Sequence, residues 1–280
     1  MKISCFFYFI TAMLLLQSGQ PCIRSVSPVF FLILPPAGRH PSALRCAAGL
    51  WYSLCDFLTG DEWDMENQSR TLNEPPKRSI LEEIGNAVTH GVGALFAVAG
   101  LVLLLLKTHT SLGVCCALIY GICLVIMFLM SCLYHSFRWG SGVKRLWRRF
   151  DYISIYLLIG GTFTPMWLLF WRGTPGTVFC CVQWAVIIVG IVFVAVFGPG
   201  RPKALHSVLF IVLGWCGLFF LPRMVRENFP LFLFTLAGGI IYTVGIIPFA
   251  LKRKGAHFLW HFFVFFGAVI HWFGIYFFLY

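Results

Sequence analysis

Two histidines stand one helical turn apart at the start of the last apolar segment. In HFLWHFFVFFGAVIH, His257 and His261 are at positions i and i+4, which puts both imidazoles on one face of a helix. Two imidazoles at this spacing can share one metal ion, as in the HExxH pattern, although Phe258 stands where that pattern has glutamate. Two interfacial histidines at a helix end are the alternative interpretation.

A second group of polar residues lies between two earlier apolar segments. In SCLYH, Ser131 and His135 are again at i and i+4, and Asp151 opens the next segment. Asp151 alone could be a helix N-cap or an ion-pair partner of Arg148 or Arg149. His135 alone could be an interfacial side chain.

The composition predicts a polytopic membrane protein of the all-α class. The chain is 59% hydrophobic and only 11% charged, with a mean hydropathy of +0.85, whereas soluble domains carry about 25% charged residues. The net charge of +11 does not indicate nucleic-acid binding, because the basic residues lie in short loops between apolar segments. Seven of the eleven cysteines lie in or beside these segments, no CxxC pair occurs, and neither a disulfide framework nor a thiolate zinc site is expected.

From residue 86 onward, the apolar segments are long enough for membrane-spanning helices, which need about 20 residues. We predict a seven-transmembrane-helix bundle over residues 86–280, preceded by a segment at 65–85. The predicted spans are 86–107, 111–135, 151–171, 175–198, 202–222, 228–251 and 257–280.

The loop charges predict the orientation of this bundle. With the segment before the first span in the cytoplasm, the inner loops hold thirteen Lys and Arg residues and the outer loops hold four. The N-terminus is therefore expected to be cytoplasmic and the C-terminus outside. This orientation places His135, Asp151, His257 and His261 at the cytoplasmic ends of their helices.

Together, these residues predict a metal site. Three neutral imidazoles and a water are the ligand set of a catalytic zinc ion, with His135, His257 and His261 as the metal ligands. Asp151 would orient or deprotonate the water, and Ser131 would hydrogen-bond a ligand or the water.

Other polar residues of the spans have no assigned role. His271 lies roughly 15 Å beyond His261 along the helix and is expected to be a packing residue. A role for His206 is unsupported. Glu82 or Glu83, Asn86 and His90 form a polar row that either caps the first helix or lines the same inner cavity.

Residues 1–64 do not fit the bundle. MKISCFFYFITAMLLLQSGQ resembles a signal peptide, but its cleavage would reverse the charge bias. We expect this stretch to be a doubtful extension with translation starting at Met65. A real extension is the alternative, and mass spectrometry of the purified protein distinguishes the two.

Four stretches carry a resemblance to a known family: EEIGNAVTHGVGA, SCLYHSF, DYISIYLLIGGTFTP and HFLWHFFVFFGAVIH. The chain resembles the haemolysin III group of the progestin and adiponectin receptor (PAQR) family over residues 80–280, because these stretches occur in the family's order and at the expected spans. The resemblance implies seven helices, a cytoplasmic N-terminus and an intracellular zinc site with His135, His257 and His261 as ligands. It also implies that Asp151 and Ser131 lie near the metal, and a more distant resemblance extends to the alkaline ceramidases.

Four functions remain open at this stage. The first is a zinc-dependent hydrolase of lipid amide or ester bonds, with membrane lipids as substrate or ligand, in the plasma (inner) membrane. The second is a sensor or receptor with structural zinc and no turnover. The third is a cytolysin, which ranks lower because a seven-span chain lacks the soluble state of a pore-former. The fourth is proton transport, for which the spans hold few further ionisable groups. Hormone reception, although known in the family, is not expected of this chain. Nucleic acid is not expected as a partner, and protein partners are unknown.

Overall fold

The computed structural model describes residues 73–200, 203–251 and 253–280, and the regular secondary structure in these ranges is entirely helical. The predictions for the extension 1–64 and for a start at Met65 concern residues outside the described part. The helices are α1 (Ile80–Lys107), α2 (Ser111–Ser136), α3 (Gly142–Pro165), α4 (Thr174–Phe197), α5 (Lys203–Gly214), α6 (Leu221–Glu227), α7 (Phe229–Ala250) and α8 (Ala256–Phe278).

Six of these helices are long and apolar enough to cross a membrane, which confirms the all-α multi-pass class. A seventh crossing is formed if the bent pair Leu205–Phe219 and Leu221–Glu227 counts as one span. The two parts of this pair meet at 43°, so the predicted span 202–222 is broken where a continuous helix was expected. Pro222 sits in the first turn of α6, where its missing N–H prevents the preceding helix from continuing. The orientation of the bundle in the membrane stays a prediction.

Two helices begin earlier than their apolar segments. Helix α1 starts at Ile80, where the Ser79 hydroxyl accepts a hydrogen bond from the Glu82 N–H, and α3 starts after Ser141, which accepts from the Lys144 N–H. Hydroxyl capping of this kind stabilises a helix start. Both helices extend beyond the predicted spans that begin at 86 and 151, because their first turns are polar and lie outside the apolar windows. Glu83 and Lys144 lie in the first turns of α1 and α3.

The helices turn their polar and small residues inward. Helix α1 buries Asn86, His90 and Gly93, while Leu95 and Leu106 are 73% and 72% exposed. An apolar exterior around a polar interior is the arrangement that lipid favours.

Helix α1 packs between α2 and α8, and glycines allow the close approach. A Cβ atom at Gly93 would lie 2.6 Å from the Phe128 ring of α2, and one at Gly85 would lie 2.7 Å from the Phe258 ring of α8. The three helices that carry the polar residues therefore meet at one end of the bundle.

The seven cysteines in the described ranges are free, and three of them are buried among apolar side chains: Cys116, Cys123 and Cys180. These three buried cysteines fill space in the bundle, which is the role that the composition predicts.

Candidate metal centre

The structure brings His135, His257 and His261 together as one group, here called the three-histidine cluster. One ring nitrogen from each residue lies within 4.8 Å of the other two. His135 and His261 are 3% and 1% exposed, so the cluster is buried. A buried group of three imidazoles can hold a metal ion.

Local structure explains how each histidine reaches this point. His135 occupies the last turn of α2, and His257 and His261 occupy the first two turns of α8. Before α8, Gly255 has a φ of 79°, in the left-handed region that side chains with a Cβ adopt only at a cost. This residue lets the chain turn sharply into α8, which directs His257 toward α2.

The distance between two nitrogens of the cluster matches the spacing of two zinc ligands. The Nε2 atoms of His257 and His261 lie 3.3 Å apart. Two nitrogens bound tetrahedrally at 2.0–2.1 Å from zinc would be about 3.3–3.4 Å apart. The Nε2 atom of His135 is buried and makes no hydrogen bond to a described residue, so its lone pair is available to an ion. The residues present therefore fit a zinc ion with three protein ligands.

Glu83 of α1 orients His135. Its Oε2 atom lies 2.6 Å from the Nδ1 atom of His135, a distance typical of a charge-assisted hydrogen bond. When Nδ1–H donates to this carboxylate, the Nε2 atom carries the lone pair and becomes the metal-binding atom.

Glu83 is in turn held by a buried lysine. The Nζ atom of Lys144 lies 3.0 Å from Glu83 Oε1, and the lysine side chain is fully buried. The same ammonium donates to the backbone carbonyls of Tyr134 and Phe137 at 3.2 and 3.0 Å. The contacts Lys144–Glu83–His135 thus join α3, α1 and α2.

The polar row predicted on α1 faces this site, with Glu83 in place of Glu82. Asn86 and His90 are buried, and the Nδ2 atom of Asn86 lies 3.3 Å from the Nδ1 atom of His135. The His90 ring stacks on His261 with ring centroids 3.9 Å apart. The sequence signal was the spacing i, i+3, i+7 of Glu83, Asn86 and His90, which is one face of a helix.

Ser131 and Asp151 lie beside the cluster and are not members of it. Ser131 is buried one turn before His135 on α2, and the Asp151 carboxylate of α3 lies close enough to the Ser131 hydroxyl to interact with it. The cationic side chains of Arg78, Arg148 and Lys144 act on the same carboxylate. This placement agrees with a role for Asp151 other than metal ligation, while the catalytic roles of Asp151 and Ser131 stay predictions.

The remaining histidines named from the sequence have other partners. His271 donates from Nε2 to the Thr235 carbonyl at 3.0 Å, and its ring lies against Gly238 of α7. This contact agrees with the expected packing role. His206 lies 2.9 Å from the Tyr156 hydroxyl through its Nδ1 atom, apart from the cluster.

Residues 73–79, here called the pre-helix segment, cross the end of the bundle at which the cluster lies. Arg148 donates to the Asn73 carbonyl at 2.9 Å, and Trp139 donates from its indole nitrogen to the Pro75 carbonyl at 2.8 Å. Asn73 also donates to the last residue of α4 at 3.0 Å. The pre-helix segment is therefore fixed over the loop between α2 and α3 and over the end of α4. Sequence reasoning assigned it no structural role.

The family described as Haemolysin-III related matches residues 78–272, which include the whole cluster. "Hemolysin-3" of Bacillus cereus is 34% identical over 206 residues, which cover 71% of this chain and 93% of that protein. "Hemolysin-3 homolog" of Bacillus subtilis (strain 168) is 32% identical over 195 residues, or 68% and 91% of the two chains. "Monocyte to macrophage differentiation factor" of Homo sapiens is 24% identical over 222 residues, or 76% and 91%. The chain belongs to the haemolysin III-related family.

Proposed function

We propose that this protein is a zinc-dependent hydrolase that cleaves an amide or ester bond of a membrane lipid. The observation that carries the proposal is the buried three-histidine cluster, whose ligand atoms lie within 4.8 Å of one another inside an apolar bundle. Three imidazoles leave one tetrahedral position for a water or a substrate, as in catalytic rather than structural zinc sites.

The residues around the cluster have separable tasks in this reaction. Zinc held there supplies Lewis-acid activation of water and of a carbonyl. The Asp151 carboxylate accepts a proton from the attacking water, and the Ser131 hydroxyl orients that carboxylate. The water oxygen bonds to the carbonyl carbon, and the C–N or C–O bond breaks. The proton on Asp151 passes to the departing amine or alcohol, and the other product is a carboxylic acid, which then loses its proton to water to become a carboxylate.

The predicted orientation supports a lipid substrate. If the N-terminus is cytoplasmic, the cluster lies near the cytoplasmic face of the plasma (inner) membrane, where lipid head groups are within reach. The exposed apolar side chains of α1, among them Leu95 and Leu106, are suited to contact with acyl chains.

The test uses purified protein in lipid nanodiscs, with a ceramide-like amide and a matched ester as substrates and released fatty acid as the readout. We expect His257→Ala to lose both bound zinc and fatty-acid release. Asp151→Asn should keep its zinc and lose release by about 10²–10⁴-fold, the usual contribution of a general base. The control His271→Ala alters a buried histidine of the same helix outside the cluster and should keep both properties. Unchanged release from His257→Ala would rule out the mechanism.

A structural metal without turnover is the second candidate. It is favoured by the fact that the ligands come from α2 and α8 while Glu83 of α1 holds one of them, so an ion would tie three helices together. This candidate expects a zinc-dependent melting temperature and no release from any lipid. Measuring both quantities on one preparation separates the two functions.

A further inference from the structure

A buried guanidinium lies beside the cluster with donor groups to spare. Arg78, in the pre-helix segment, has a side chain that is only 13% exposed. Its Nη1 atom is buried and makes no hydrogen bond to a described residue. The nearest paired carboxylate is Glu82 of the next turn, with its Oε1 atom 3.9 Å from the Arg78 Nε atom. An ion pair this long leaves the buried Nη1 donor free to bind another group.

Arg78 also lies near the histidines of the cluster. Arg78 interacts with the side chain of Tyr134, the residue before His135. Its charge also acts on the rings of His135 and His257 more strongly than any other charged side chain does. The guanidinium therefore lies near the cluster, at the end of α2 that carries Tyr134 and His135.

Two other buried cations at this end of the bundle, Lys144 and Arg148, are already paired with protein groups. Lys144 binds Glu83 and two backbone carbonyls, and Arg148 donates to the carbonyls of Asn73 and Glu74. Arg78 is the cation around the cluster whose buried nitrogen lacks a partner in the described ranges.

The local charge balance also leaves room for an anion. Three cations (Arg78, Lys144 and Arg148) face three carboxylates (Glu82, Glu83 and Asp151) around neutral imidazoles. A divalent ion in the cluster would add two positive charges to this balanced set. A buried excess of positive charge is costly unless an anion neutralises it.

We propose that Arg78 binds the anionic group of the ligand, a carboxylate or phosphate whose two oxygens match the guanidinium fork. The inference rests on the proposed function, because the ligand beside the cluster is taken to be a substrate or a product of hydrolysis. The fatty acid released by that reaction carries such a carboxylate. A lipid phosphate or free phosphate shares the same chemistry.

The experiment measures binding of three probes to detergent-purified protein by calorimetry: dodecanoate, dodecanol and inorganic phosphate. Each is measured with zinc-loaded and with chelator-treated protein. The variants are Arg78→Gln, Arg78→Lys and the control Arg145→Gln, which removes an exposed arginine paired with Glu74 at the same end of the bundle. Zinc content and elution as a single species show that each variant is folded. If Arg78→Gln does not fold, Arg78→Lys carries the test, because it keeps the charge and removes the fork.

We expect dodecanoate to bind wild type and Arg145→Gln equally, and Arg78→Gln at least about tenfold more weakly. Arg78→Lys should be intermediate, and dodecanol should bind all variants alike because only its chain is recognised. Phosphate that competes with dodecanoate indicates a site for the anion itself, and phosphate that does not compete indicates a lipid carboxylate. Equal dodecanoate binding by wild type and both Arg78 variants overturns the proposal, as does wild type that binds no anion. Arg78-dependent binding to protein that holds no zinc and releases no fatty acid refutes the hydrolase and leaves the anion site standing.

Discussion

Replacement of Glu83 by glutamine should weaken zinc binding without removing a metal ligand. The carboxylate accepts a hydrogen bond from His135 at 2.6 Å, and its charge makes the opposite ring nitrogen a stronger donor to a metal. Glutamine preserves the shape but loses the charge, and charge-assisted hydrogen bonds are about twice as strong as neutral ones. Loss of such a supporting partner costs about 10–100-fold in metal affinity, or about 1.4–2.7 kcal/mol.

The same substitution also removes the counter-ion of Lys144, whose side chain is fully buried. That loss destabilises the fold whether or not metal is present, because it leaves a buried charge less well compensated. The two effects are separable, because melting temperature in the presence of chelator reports only the second. Zinc affinity, measured by competition with a coloured chelator, reports the first.

Glu82→Gln is the matched control. It changes the neighbouring carboxylate of the same helical turn, which faces Arg78 at 3.9 Å and makes no described contact with His135. Its zinc affinity should stay close to that of wild type, since the 3.9 Å ion pair that it loses, with Arg78, does not hold a histidine of the cluster. Equal zinc affinity in Glu83→Gln and Glu82→Gln would refute the reasoning that Glu83 tunes His135.

Two further substitutions test how the helices are brought together. Gly93→Ala should lower stability by about 1–3 kcal/mol through overpacking, because the new Cβ would lie 2.6 Å from the Phe128 ring. Thermal melting measures this loss. The control Gly142→Ala, whose new Cβ would have no side-chain atom nearer than 3.7 Å, should melt like wild type. Gly255→Val should lower the free energy of unfolding by about 1–2 kcal/mol, because valine is strained at a φ of 79°. It should also reduce zinc affinity by loosening the start of α8. An unchanged melting temperature and zinc content would show that this turn is not constrained.

Much of the site follows from the sequence because its components are local. The i, i+4 spacing of His257 and His261 fixes their shared face once the segment is helical. The charge bias of the loops predicts that His135 lies at the same end of the bundle. Structure adds that the three rings meet within one metal shell.

The parts that the sequence did not predict depend on relations between helices. Which of Glu82 and Glu83 faces His135 is set by the rotation of α1 against α2, and helical periodicity does not specify that rotation. Lys144 stood in a loop in the predicted arrangement, because the polar first turns of α3 lie outside any apolar window. The sequence does not predict a role for Arg78, because the residues around its side chain come from α2 and α3, which are distant in the sequence.

The origin of the ligands in α2 and α8 has a consequence for how the protein is made. His135 leaves the ribosome early, whereas His257 and His261 belong to the last helix of the chain. During synthesis, the first seven helices therefore carry a single imidazole of the cluster, with Glu83 and Lys144 already in place around it. A chain cut before Ala256 keeps one ligand of three and cannot form the site. Capture of a metal by this cluster would thus be a late event of biogenesis, and a bound ion would mark a molecule in which α8 has joined α2.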